Sequence, residues 1–171
     1  IVQINAADFP QVSAFVDVYD ADGEFIPNLK PADITVYEDG QERRANSVRE
    51  SEVPVQVVVA VNPGPPLAIR DADGIARFER VVEALRLWGE AQPDDSRDDL
   101  SLVSLSGSLI NHADVDDWFV SLNSFKPDFR NSTSNLQTLS IALDTVNAPI
   151  PQPGMKRAML FITPRMDDPN I

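Results

Sequence analysis

The chain has 171 residues, 43% of them hydrophobic and 24% charged, with a formal net charge of -13 and a sequence pI near 4.3. That composition is typical of an ordinary globular protein, long enough to bury roughly 70% of its unfolded surface. The sign of the charge excludes nucleic acid and anionic lipid as partners, because both would be repelled. With no cysteine, disulfides, thiolate metal sites and cysteine nucleophiles are excluded, although this does not fix the compartment. No apolar run approaches the roughly 20 residues of a membrane helix, and no basic stretch followed by an apolar one marks a leader, so no membrane insertion by this segment is expected.

Taken in chain order, QVSAFVDVY (11–19) alternates Val12, Ala14, Val16 and Val18 on one face, the period of a half-buried strand. DADG at Asp20–Gly23 supplies turn chemistry. A second strand is predicted around Ile34, Val36 and Tyr37, and Asp39-Gly40 predicts a hairpin into a third, since both residues accept positive φ. Residues 1–52 thus read as a small antiparallel β module, marginal by itself. VPVQVVVAV (53–61) is an unbroken apolar run stopping at NPGPP, the pattern of a strand buried on both faces. In open α/β sheets ligands gather beyond the carboxyl ends of such strands, which draws attention to Asn62, Gly64 and Pro66.

Residues 75–92 carry Ile75, Phe78, Val82, Leu85 and Trp88 at helical spacing, with Asp71 or Asp73 available at the N-terminus and Pro93 closing the helix. LSLVSL (100–105) is the next strand, with LINHA as a potential partner. DVDDWFVSLNSF predicts a short helix with an acidic start and a stripe of Val115, Phe119 and Leu122. NLQTLSIALDTV fits a further helix, 148–154 a proline-rich connector, and AMLFIT (158–163) a short apolar strand. The alternation predicts a doubly wound, mostly parallel α/β sheet over 53–171, preceded by the β module.

From Val16 to Gly40 the chain reads VDVYDADGEFIPNLKPADITVYEDG, with a DxxG turn, Leu29 and an EDG turn in order. This resembles the β module that precedes the von Willebrand factor A-like domain in bacterial exported proteins. The strand VPVQVVVAV, the helix from Ile75 to Gln92, DDLSLVSLSGS, the segment around STSNLQTLSIAL and AMLFIT resemble the A domain itself, so the resemblance spans nearly the whole chain. The family's last helices and strands follow the position of Thr163, which implies that the sequence is a fragment whose sheet exposes an apolar edge.

Metal-binding members of that family hold a divalent ion with a DxSxS motif after the first strand, a threonine on a later loop and an aspartate after the fourth strand. Hard oxygen donors, including a carboxylate, offset the dehydration of a small dication. The resemblance places Asn62 at the first aspartate, Gly64 and Pro66 at the serines, Thr133 or Ser134 at the threonine, and Pro164 at the last aspartate. Gly64, Pro66 and Pro164 offer no side-chain donor and Asn62 only a neutral carbonyl, so no metal and no cofactor is expected. Asp71, Asp73 and Asp167 are the carboxylates able in principle to lean in.

Other constellations read as structural. The two DADG segments, at 20–23 and 71–74, lack the remaining ligands of a calcium loop and suit turns and helix caps. His112, the only histidine, has no nucleophile motif or second histidine beside it and reads as a surface or loop residue. The pairs Asp94-Asp95, Asp98-Asp99 and Asp116-Asp117 sit at element boundaries. NPGPP lacks the lysine and glycines of a phosphate loop, Asn131-Ser132-Thr133 is a chance sequon, and Trp88 and Trp118 read as core.

The expectation is a non-catalytic protein-interaction, adhesion or scaffolding module on the extracytoplasmic side of a bacterium. It would bind another protein without metal through a surface around Asn62, Pro63, Pro65, Pro66, Thr133 and Ser134. The alternative is an accessory subunit of a larger envelope complex. A metal-dependent adhesion domain is the remote alternative.

Overall fold

A computed structural model describes residues 3–93, 95–148 and 154–165, in two compact units, Ile1–Val53 and Pro54–Ile171.

In the first unit β1 (Gln3–Asn5) pairs antiparallel with β2 (Ser13–Phe15), and β3 (Thr35–Glu38) with β4 (Gln41–Arg44). Asp39 and Gly40, at φ 50° and 77°, make the two-residue hairpin that the sequence predicts, both positions taking the left-handed conformation of a type I′ turn. The strand expected over 11–19 shrinks to Ser13–Phe15. Beyond it the Asp20 carboxylate accepts the amides of Asp22 and Glu24 at 2.9 Å each, and the chain turns there, bridging Tyr19 to Phe25. No described residue of this unit is buried, and Ile4, Phe9, Tyr19 and Tyr37 are all exposed.

The second unit is built on a four-stranded mixed sheet in the order β7-β6-β5-β8. β5 (Val55–Val61) runs parallel to both β6 (Asp99–Ser104) and β8 (Lys156–Ile162), while β7 (Gly107–Ala113) returns antiparallel beside β6. The helices are α1 (Arg77–Glu90), α2 (Val115–Ser124) and α3 (Gln137–Asn147). The architecture is therefore mixed α/β with a mostly parallel sheet. β5 is buried on both faces because its side chains feed two apolar layers. Val59 and Val61 pack with Phe78 and Leu85 of α1 and Trp118 and Leu122 of α2, whereas Val58 and Ala60 pack with Val103 and with Ala142 of α3. Each fully buried valine or leucine side chain among these contributes about 1.5–3 kcal/mol.

Local chemistry sets the helices. Neither Asp71 nor Asp73 caps α1, contrary to expectation: Glu79 reaches back to the Ala76 amide at 2.7 Å, and the Asp71 carboxylate is taken by the amides of Asp73 and Ile75 and by Arg80. Asp114 caps α2 by accepting the Asp117 amide at 2.9 Å. α1 and α2 approach closely at Gly89, where a Cβ would stand 2.3 Å from Phe119 Cζ. Trp118 is fully buried and meets Trp88 edge-on at 6.0 Å between ring centroids.

Among the described residues β8 is hydrogen-bonded to β5 alone. Of its apolar residues, Met159 is 38% exposed and Leu160 45%.

Candidate functional site

At the carboxyl end of β5 the sequence-selected residues converge. The Asn62 amide N–H donates to the Ile162 carbonyl at 2.9 Å, which ties the end of β5 to the end of β8. The Asn62 side chain is fully buried. Its Nδ2 donates to Thr163 Oγ1 at 2.9 Å, and its Oδ1 accepts from Thr138 Oγ1 at 3.3 Å and from the Asn135 amide at 3.4 Å. One side chain thereby joins β5, the loop after β8, the loop before α3 and α3 itself. Nearby, Ser104 Oγ donates to the Val61 carbonyl at 2.9 Å, holding the end of β6 against β5.

The next residues close over this network. Ser134 Oγ donates to the Pro63 carbonyl at 3.1 Å. Gly64 is buried under Ser134 and Pro164: a Cβ there would lie 2.2 Å from Ser134 Oγ and 3.3 Å from Pro164 Cγ. A short 3-10 turn, Pro65–Ala68, follows and drops Leu67 into the core. Of the two candidates for the threonine position, Ser134 faces the edge and bonds it. Thr133 is exposed, its carbonyl accepting from Asn135 Nδ2 at 3.3 Å. Asn62, Gly64, Ser134 and Pro164 are thus brought together, with Pro66 in the turn beside them. Pro63 is buried with Asn62, so the part of the edge that meets solvent is Pro65 and Thr133 with half-buried Pro66 and Ser134.

This arrangement defines what the edge can do chemically. Its donors are one amide and the hydroxyls of Ser134, Thr138 and Thr163, and each of these side chains is engaged with another protein group. None is a carboxylate, the group a small dication requires. Asp71 and Asp73 are both paired with Arg80, at 2.9 and 3.2 Å, and Asp167 lies outside the described residues. Among the described residues no group of three or more His, Asp or Glu side chains is arranged to hold a metal ion. Sequence reasoning missed Asn135, Thr138 and Thr163. Thr138 had a signal, a polar residue four positions before Ala142 on the buried side of α3.

A second polar cluster lies at the opposite end of the sheet. Between Leu100↔Ala113 and Leu102↔Ile110 the register shifts, leaving Asn111 and His112 of β7 opposite Ser101. In this bulge His112 takes φ 53°, and its Nδ1 lies 2.9 Å from Oδ2 of buried Asp99. His112 is exposed, as expected of a surface residue, but it lies in β7, where the bulge re-aims its ring onto a carboxylate. The pair lines an open cleft of about 330 Å³ with Ser96, Arg97, Asp98, Ala113 and Asp114. Two of these carboxylates hold the fold: Asp98 accepts the Val55 amide at 2.8 Å, and Asp114 caps α2. A histidine oriented by a carboxylate is half of a nucleophile-activating arrangement. Two serines here accept from backbone groups, Ser96 Oγ from the Asp98 amide and Ser101 Oγ from the His112 amide, each at 3.3 Å.

The fold and the two clusters define a mixed α/β protein in which neutral side chains, Asn62, Ser134, Thr138 and Thr163, close the carboxyl end of β5. Comparison with family models, with curated proteins and with solved structures finds no match to the chain.

Proposed function

We propose that the chain is a non-catalytic protein-interaction module, resembling a bacterial exported von Willebrand factor A-like domain, that recognises another protein without a metal ion. The observation that carries this reading is the state of Asn62. The position where a dication's carboxylate would stand is fully buried and bonded to Thr163, Thr138 and Asn135. Recognition then falls to the shape of Pro65, Pro66, Thr133 and Ser134. The two prolines fix the backbone before binding, so little entropy is lost there. An extracytoplasmic location, with adhesion, assembly or scaffolding as the role, follows from the resemblance alone.

The test has two arms. Calorimetric titration of the chain with magnesium and with calcium is expected to show no binding at micromolar concentration. Partner capture from an envelope fraction is expected to survive EDTA and to fall with Pro65→Glu. Capture abolished by chelation would overturn the reading. A second reading, an accessory subunit of a larger envelope complex, is favoured by exposed Met159 and Leu160 on the edge strand.

A further inference from the structure

We draw no further inference here: the strongest candidate, the open cleft at the amino-terminal end of the parallel strands where His112 meets buried Asp99 between Asp98 and Asp114, is an acidic cluster whose buried carboxylate is already held by the histidine, and nothing among the described residues points to a ligand for it.

Discussion

Replacing Asn62 tests the closed edge directly. Asn62→Ala removes a donor to Thr163 Oγ1 at 2.9 Å and an acceptor for Thr138 Oγ1 at 3.3 Å and the Asn135 amide at 3.4 Å. Two of these contacts are long, so their net worth lies toward the low end of the ~0.5–1.5 kcal/mol typical of an intramolecular hydrogen bond. Added to them is the loss from leaving hydroxyl and amide groups buried without partners. Water entering the space left by the side chain recovers some of it, and the expected destabilisation is about 2–4 kcal/mol. Asn62→Asp separates the two meanings of the site. It keeps the acceptor toward Thr138 and Asn135 but replaces the donor to Thr163 with a buried negative charge that has no cation beside it, so it should also destabilise. The assay is urea denaturation followed by circular dichroism, with and without millimolar magnesium. A loss below about 1 kcal/mol in Asn62→Ala would refute the assignment of Asn62 as the latch of this edge, since that is the worth of a single ordinary hydrogen bond. Full recovery of Asn62→Asp by magnesium would mean that the edge is a dormant cation site needing only its carboxylate.

Gln56 in β5 is fully buried with neither amide atom hydrogen-bonded. Gln56→Met keeps the shape and removes the desolvated amide, so it should raise stability by about 1–3 kcal/mol in thermal or urea unfolding, and a drop would reveal a bound water serving that amide. Gly89→Ala drives a methyl group into the Phe119 ring, with Phe119 Cζ 2.3 Å away; separating α1 from α2 should cost about 1–3 kcal/mol, and a neutral result would show that Phe119 swings clear. The Asp71 carboxyl is held below its ordinary value by the Ile75 amide and then by Arg80, that of Glu83 by Arg86, and that of Asp128 by Asn131. Because each pKa is lower folded than unfolded, the stability they contribute is complete above the unfolded value near 4 and is lost as pH falls through the lowered folded values. Melting temperature should therefore drop below about pH 4, and a flat profile from pH 5 to 2.5 would contradict these bonds.

The elements that were legible in the sequence are those with a local cause. The apolar period of α1, the Asp39-Gly40 hairpin and the run of β5 each decide their own conformation within a few residues, and the structure places α1 at Arg77–Glu90 and β5 at Val55–Val61. What was illegible depends on residues distant in sequence. The 11–19 segment alternates correctly for a strand but extends only as far as β1 offers a partner, three residues. Asp71 has the identity of a helix cap, yet the Ile75 amide and Arg80 compete for it and win. Nothing local to His112 reveals that a bulge opposite Ser101 turns its ring onto Asp99.

The closed edge shows the same division. The resemblance selects Asn62, Gly64 and Pro164, and residue types alone then say that Gly64 and Pro164 carry no side-chain donor and Asn62 only a neutral carbonyl where a dication would need a carboxylate. They do not indicate what replaces it, because Thr138 is 76 positions and Thr163 101 positions from Asn62. The replacement is constrained nonetheless. A side chain fully buried where β5, β8 and α3 meet must satisfy its polar atoms internally. An amide does so with hydroxyls alone, donating to one and accepting from another, whereas a carboxylate, which only accepts, would require a cation or a proton. Gly64 then follows from the same closure, since any side chain there would occupy the position of Ser134 Oγ, 2.2 Å away. Asparagine at 62 and glycine at 64 are thus two consequences of one condition, an edge sealed by the protein's own groups.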